Sequence, residues 1–170
     1  DAGLDVLVEK PIATTRADAR SLVERAKSGG RILQVGHIER FSRAFRAVRP
    51  ALTRPRFIEA HRIGPYPARA TDVSVVLDLM IHDLDIVAEL AGHEVERVEA
   101  VGVSVLSQTE DIANARLRLA NGCVVNLTAS RVSLERLRKV RLFQPDAYVS
   151  IDLGENKSTI VRRQGVVRVI

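Results

Sequence analysis

The sequence predicts an α/β fold in which the end of a parallel α/β domain is joined to an α+β domain with a mostly antiparallel, open sheet. Between residues 4 and 35, two short and mainly apolar runs flank an amphipathic segment, which is the pattern of a strand–helix–strand unit in a parallel sheet. A long apolar segment of helical length follows at residues 75–91. From residue 94 onward, short alternating runs are separated by turn residues, which is typical of antiparallel strands.

The first part of the chain is predicted to be one strand–helix–strand unit. Leu4 to Val8 resembles a strand that is buried on both faces of a parallel sheet, and Ile32 to Val35 repeats the pattern. Thr14 or Thr15 caps the helix between them, and Gly29-Gly30 ends it. The apolar stripe of this helix consists of Ala17, Leu22, Val23 and Ala26. We expect a right-handed crossover and assign residues 1–36 to the end of a parallel α/β domain.

The pattern changes in the middle of the chain. Ser42 to Leu52 is predicted to be a helix, and Phe57 to Ile63 a strand. The prolines of Gly64 to Thr71 indicate a loop. Val75 to Ala91 is then predicted to be a long, buried helix that Gly92 closes.

The last third of the chain is predicted to consist of strands. They are Val95 to Val105, Ile112 to Leu119, Val124 to Ser130, Lys139 to Phe143, Tyr148 to Leu153, Ser158 to Arg163 and Val166 to Ile170. Asn121-Gly122 is a strong hairpin signal between two of them. Residues 37–170 are therefore assigned to an α+β domain, which we expect to be truncated at its end.

Composition narrows the class of protein. Of the 170 residues, 46% are hydrophobic and 28% charged, as in soluble globular proteins, and no apolar run reaches the roughly 18 residues of a membrane-spanning helix. The single Cys123 excludes an internal disulfide and predicts a reducing, cytoplasmic location. The net charge is +5, but aromatic residues are only 4% and the arginines are scattered, so no nucleic acid partner is expected. The chain lacks an initiator Met, and we expect it to be a piece of a longer protein.

A lysine follows the first predicted strand directly, in Glu9-Lys10-Pro11. Ligands of open α/β sheets bind beyond the carboxyl ends of the strands, so this lysine is expected at a binding crevice. Only four of the 26 basic residues are lysines, so its presence here calls for a reason. On spacing alone, a surface lysine beside a glutamate is the favoured interpretation.

A second candidate site lies in the long helix. Asp78 and His82 are four residues apart and are expected to share a face, where the carboxylate can orient the imidazole for acid–base catalysis. The alternative is a capping or buried polar network. The pair has no third ligand at metal-site spacing, so no metal is predicted.

Polar side chains also follow the second strand, in the segment Gly36 to Phe41. Arg40 could bind an anionic substrate group, or the segment could be a hinge between domains with solvated charges. His61 and Arg131 lie at predicted strand ends in the second domain, and each is a weak signal by itself.

Taken together and in order, these motifs resemble the Gfo/Idh/MocA family of nicotinamide-dependent oxidoreductases. The resemblance rests on three segments of this sequence: Val8 to Pro11, Val35 to Phe41 and Val76 to Asp85. The residues of the second and third segments, together with Arg131 and Phe143 to Tyr148, look closest to the branch of the family that acts on UDP-N-acetylglucosamine in polysaccharide and lipid A synthesis. The family's fold is a Rossmann domain followed by an α/β domain with an open sheet.

The resemblance implies roles for individual residues. Lys10 would lie beside the nicotinamide and the substrate hydroxyl, His82 would be the acid–base residue, and Asp78 would support it or contact substrate. Glu9, Pro11 and His37, together with Lys10, would contact the cofactor. Arg40, His61 and Arg131 would bind substrate.

The implied protein is an NAD- or NADP-dependent dehydrogenase of a nucleotide sugar, assembled as a homodimer or homotetramer through the C-terminal sheet. The glycine-rich turn that binds the dinucleotide does not occur in this chain, so we expect the chain alone to be inactive. Two alternatives remain open: a dehydrogenase of a free polyol or sugar such as inositol, and a non-catalytic oligomerisation module of the same fold.

Overall fold

The structure is a computed structural model, and it describes residues 2–67, 72–92 and 94–162 together with the backbone of residues 165–169. The chain divides into two compact units, Asp1–Ile38 and Glu39–Ile170. A short parallel sheet in the first unit precedes a large, mostly antiparallel sheet in the second. The predicted fold class is therefore confirmed.

The first unit is the predicted strand–helix–strand unit. Strand β1 spans Val6–Val8, helix α1 spans Arg16–Ser28 and strand β2 spans Leu33–Val35. The two strands are parallel, with Val8 opposite Val35 at their carboxyl ends. Of the two candidate caps, Thr15 is the one used, because its hydroxyl accepts a hydrogen bond of 3.1 Å from a backbone N–H in the first turn of α1.

These strands are more exposed than the sequence predicted. Leu4 and Leu7 are 69% and 74% exposed, and Leu22 of the apolar stripe of α1 is 42% exposed. Within the described residues, the first unit contains two strands and one helix, and these can cover at most one face of the sheet. The expectation that both faces are buried is therefore wrong for this chain.

The second unit packs two helices against one large sheet. Helix α2 spans Arg43–Val48 and helix α3 spans Ile81–Ala91. The strands are β3 (Phe57–Ile63), β4 (Val95–Val103), β5 (Ile112–Leu119), β6 (Val124–Ser130), β7 (Leu137–Gln144), β8 (Ala147–Asp152), β9 (Lys157–Arg162) and β10 (Gly165–Val169). In the part of the chain that the structure describes, their order is β10-β9-β8-β7-β3-β6-β5-β4, and neighbours are antiparallel except for β3 and β6.

The alternation of the strands gives the sheet one buried face. Ile58 and Ala60 of β3 lie in the core with Phe45 of α2 and Ile86 of α3, because alternate residues of a strand point to opposite faces. The opposite face is called the open face below. It carries Glu59, His61, Asn114, Arg116, Thr128 and Arg141.

The predicted element boundaries need correction at several points. α2 ends at Val48 and passes into a 3₁₀ turn that contains Pro50, since proline cannot continue a helix. The long predicted helix begins with a π turn, and β4 stops at Val103 rather than Val105. The Asn121-Gly122 hairpin is confirmed, with Gly122 at φ +81°. The last four residues of the predicted loop, and the ends of the last two predicted strands at 163 and 170, lie outside the described residues.

Candidate active site

Asp78 and His82 lie where a π turn passes into α3. The π turn spans Val76–Met80 and α3 begins at Ile81, and π turns occur frequently at functional sites. Both side chains are half-buried, and the Nδ1 atom of His82 lies inside the protein. The structure thus presents a carboxylate and an imidazole on consecutive turns of one helical segment.

A cleft of about 570 Å³ opens beside the π turn, entirely within the second unit. Asp78 and Leu79 line it from the π turn, Arg62 and Ile63 from the end of β3, and Arg131 from the end of β6. The segments 64–67, 136–138 and 152–155 complete the lining. This volume is within the range of small-molecule sites, about 300–1,000 Å³, which makes the cleft the candidate substrate site.

A buried ion-pair network lies behind this helix. Arg62 donates from Nε and Nη2 to the two carboxylate oxygens of Asp83, at 3.1 and 2.9 Å, and from Nη1 to Glu39, at 3.0 Å. Burial alone would lower the pKa of Arg62, but the two carboxylates outweigh it and the pKa is raised. Because Asp83 follows His82 directly, the network fixes the base of α3 on β3.

A second buried network holds the segment that leads into the π turn. Arg131 donates to Asp111 at 2.7 Å, to the carbonyl of Val73 at 2.7 Å and to the hydroxyls of Ser107 and Thr109 at 2.8 Å. Asp111 is fully buried, and burial would raise its pKa. Hydrogen bonds from Ser107, Arg131 and backbone N–H groups outweigh that effect and hold the pKa well below its usual range.

The three residues that were predicted to bind substrate lie in different surroundings. Arg131 lines the cleft, but its guanidinium is bound to groups of its own chain. Arg40 binds both carboxylate oxygens of Asp85 and also Glu89, and the hydrogen bond with Asp85 is the largest reason that its pKa is raised. His61 lies on the open face, on the side of β3 opposite Arg62. The substrate-binding role of each stays a prediction.

The predicted cofactor residues all lie in the first unit. Glu9, Lys10 and Pro11 follow β1, and Gly36 and His37 follow β2 at the same edge of the sheet. The backbone N–H of Gly36 donates to the carbonyl of Val8 at 2.8 Å. A Cβ at Gly36 would come within 3.2 Å of the carboxylate of Glu9, so the absence of a side chain permits this close approach.

Asp83, Asp111 and Glu39 have roles that the sequence did not indicate. Glu39 and Asp83 belong to predicted motifs, whereas Asp111 lies between two predicted strands. Their partners lie far along the chain: Arg62 and Asp83 are 21 residues apart, and Asp111 and Arg131 are 20 apart. The one usable signal was that a buried carboxylate requires a partner. Among the described residues, no group of three or more His, Cys, Asp or Glu side chains is arranged to hold a metal ion.

Two features together are typical of one class of oxidoreductase. The first is a parallel sheet edge that carries Glu9-Lys10-Pro11, and the second is a mostly antiparallel sheet next to a helical segment that carries Asp78 and His82. The chain matches the model of the Gfo/Idh/MocA C-terminal domain over residues 45–144. It matches that of the oxidoreductase family with an NAD-binding Rossmann fold over residues 1–37. The chain belongs to the Gfo/Idh/MocA family.

Its relatives include enzymes that act on two kinds of substrate. A UDP-N-acetylglucosamine 3-dehydrogenase from Acidithiobacillus ferrooxidans is 40% identical over 163 residues, which cover 95% of this chain and 52% of the relative. A myo-inositol 2-dehydrogenase from Thermotoga maritima is 32% identical over 142 residues, covering 74% and 42%. The chain therefore spans about half the length of these relatives.

Solved structures match the whole fold. The A. ferrooxidans UDP-N-acetylglucosamine 3-dehydrogenase aligns with a TM-score of 0.94 at 39% identity, covering 99% of this chain and 56% of that one. A levoglucosan dehydrogenase in complex with NADH and L-sorbose aligns with a TM-score of 0.87 at 16% identity, covering 98% and 54%, which shows the shared fold. None of the helices in the described ranges is long and apolar enough to cross a membrane.

Proposed function

We propose that the protein to which this chain belongs is an NAD- or NADP-dependent oxidoreductase of a UDP-N-acetylhexosamine. It transfers hydride between a hydroxyl-bearing sugar carbon and nicotinamide. The observation that carries the proposal is that Asp78 lines a cleft of small-molecule size in a chain that is 40% identical to a UDP-N-acetylglucosamine 3-dehydrogenase. The single buried cysteine supports a reducing, cytoplasmic location.

The residues of the first unit fit the nicotinamide end of a dinucleotide. They lie at the carboxyl edge of two parallel strands, where dinucleotides bind in such folds, and the close approach of Gly36 to Glu9 leaves the polar ends of both strands adjacent. Glu9, Lys10, Pro11 and His37 would hold this end of the cofactor. When bound, the nicotinamide supplies the acceptor or donor of hydride.

The remaining chemistry is the movement of one proton. During oxidation, the imidazole of His82 accepts the proton of the sugar hydroxyl, while hydride leaves the carbon that bears this hydroxyl. The ammonium group of Lys10 stabilises the negative charge that develops on the oxygen. Asp78 orients the imidazole or the hydroxyl from the wall of the cleft. In the reverse direction the same groups return the proton to the carbonyl oxygen.

Turnover of the intact protein tests this proposal. Reduction of NAD or NADP is followed by absorbance with UDP-N-acetylglucosamine, UDP-N-acetylgalactosamine and myo-inositol in parallel. We expect turnover with a UDP-N-acetylhexosamine, and a loss of kcat of about 100-fold or more in K10A and in H82A, since positioned proton transfer contributes about 10²–10⁴-fold. K27A, in which an exposed lysine of α1 is removed, is the control and should retain kcat.

The outcomes separate the candidate functions. Turnover with myo-inositol and with neither sugar nucleotide would favour the second candidate function, a dehydrogenase of a free polyol, which the inositol dehydrogenase relatives support. If neither class of substrate reacted, the non-catalytic module would become the better account. If the protein turned over a substrate but K10A and H82A retained full activity, the catalytic roles of Lys10 and His82 would be wrong.

We also propose that the intact protein is a homodimer or homotetramer that assembles through the open face. This face supports assembly because it carries polar pairs, namely the half-buried pair Glu59 with Arg141 at 2.9 Å and the exposed pair Asn114 with Thr128 at 2.9 Å. Helices α2 and α3 cover only the opposite face.

A further inference from the structure

Most of the charged side chains around the cleft are paired within their own chain. Arg62 is bound by Asp83 and Glu39, and Arg131 is bound by Asp111, so both of these lining arginines are neutralised by their own chain.

The acidic residues across the cleft are also compensated. Asp152 pairs with Lys139 at 3.2 Å, and Glu155 pairs with Lys157 at 3.4 Å. Neither carboxylate is therefore left over to neutralise another cation of the lining.

Arg136 and Arg138 are the exception. Both line the cleft and both are exposed, and neither side chain has a hydrogen bond or ion pair with any other residue in the described ranges. Arg138 lies directly opposite Arg62 in the register of β3 and β7, so the two arginines belong to the same face of the sheet.

We propose that Arg136 and Arg138 form an anion subsite of this cleft and bind the diphosphate of a sugar nucleotide. The planar guanidinium group matches phosphate oxygens in a bidentate geometry. Asp78 lines the same cleft, so a ligand whose hydroxyl end lies at Asp78 can extend its phosphates toward the two arginines. The subsite selects a sugar nucleotide over a neutral polyol, and this identification of the ligand rests on the proposed function.

Arg136 and Arg138, rather than Arg40 or Arg131, therefore determine specificity. Arg40 is held by Asp85 and Glu89, and Arg131 by Asp111 and the Val73 carbonyl. Reorienting either toward a ligand would leave those carboxylates without their partner, which is costly where they are buried.

The test compares two double variants of the intact protein. R136Q/R138Q removes the subsite, and R54Q/R56Q removes the same charge at exposed positions just before β3. This control site lies about 20 Å from the cleft, at roughly 3.3 Å per residue of the seven-residue strand β3. Binding of UDP is measured by calorimetry without cofactor, and then KM and kcat are measured with UDP-N-acetylglucosamine.

We expect R136Q/R138Q to weaken UDP binding by about tenfold or more and to raise KM similarly, with kcat within about twofold, because the phosphates lie away from the reacting carbon. The control should match the wild type in both measurements. An equal loss of UDP affinity in the two double variants would show that binding depends on the net charge of the protein and not on these two positions, and it would overturn the subsite. The single variant R138Q provides the same comparison should the double variant fail to fold.

Failure of the subsite can be distinguished from failure of the proposed function. If UDP-N-acetylglucosamine is oxidised and R136Q/R138Q has a normal KM, the subsite is wrong while the function stands. If no sugar nucleotide is oxidised but UDP binds and R136Q/R138Q loses that binding, the subsite stands and the function is wrong. A variant that loses NAD affinity but retains UDP affinity would assign the arginines to the cofactor and overturn the inference.

Discussion

Asp111 shows how much of the site depends on single buried contacts. Its Oδ2 atom accepts hydrogen bonds from the backbone N–H groups of Val105, Leu106 and Ser107, at 2.8, 2.6 and 2.9 Å. Its Oδ1 atom accepts from Arg131 at 2.7 Å. One carboxylate therefore ends β4, orders the following turn and holds the arginine that binds the segment before the π turn.

The free energy of unfolding should depend on pH through Asp111. Since its pKa is lowered on folding, the carboxylate stabilises the fold above the ordinary Asp value of about 3.9, and this contribution is lost as the pH falls through the lower, folded-state value. D111N should be destabilised at pH 7, and its difference from the wild type should shrink below about pH 4. Urea denaturation at several pH values measures the difference in the free energy of unfolding between D111N and the wild type. A difference that stays constant between pH 7 and pH 3 would contradict the prediction.

At the residue scale, the sequence could indicate the residues of the motifs but not their partners. Lys10, Asp78 and His82 were identified because their order along the chain resembles a family, and their catalytic roles remain predictions. The pairing of Asp83 with Arg62 was not predictable, since it depends on how α3 crosses β3. Arg136 and Arg138 gave no signal at all, because only the cleft shows that they lack a counter-charge.

At the scale of elements, the segment 75–91 is the most informative. Its apolar composition predicted one long helix, and the structure instead has a π turn followed by α3. Side-chain periodicity could not reveal this, because one wider turn hardly changes which residues are apolar. The end of the helix was predictable, since Gly92 is in a backbone conformation, φ +95° and ψ 169°, that is essentially restricted to glycine.

G92A should therefore destabilise the protein by about 1–3 kcal/mol, the usual cost of such backbone strain. Among the described residues other than its chain neighbours, no atom lies within 4 Å of the position of the new Cβ, so the loss would come from the backbone and not from a clash. G64A is the matched control, because its Cβ would also meet nothing within 4 Å and its φ lies outside the strained range. Chemical denaturation measures both variants, and equal stability of the two would show that the end of α3 relaxes without cost.

At the scale of the whole molecule, the number of strands was predictable and their order was not. Turn signals mark where each strand ends, so the hairpins β4–β5, β5–β6, β7–β8 and β8–β9 follow from the sequence. The central position of β3, between β6 and β7, depends on contacts 67 to 86 residues apart for which no local pattern exists. That central strand is nonetheless what brings Arg62 opposite Arg138.

Assembly through the open face can be tested on a single strand. Val101 and Val98 of β4 are 61% and 60% exposed, but Val101 lies opposite Asn114, on the open face, and Val98 lies opposite Leu117, on the other face. A buried, unpaired carboxylate in an interface is costly. V101E should therefore shift the intact protein toward monomer, while V98E, with the same charge change and the same exposure, should not.

Sedimentation velocity over a range of protein concentrations measures this shift, and circular dichroism checks that both variants fold. A wild-type protein that remains monomeric at all concentrations would rule the assembly out. If the wild type does assemble but V98E dissociates as readily as V101E, the contact surface follows the edge of β4 rather than the open face, since both residues share that edge and only Val101 shares the face.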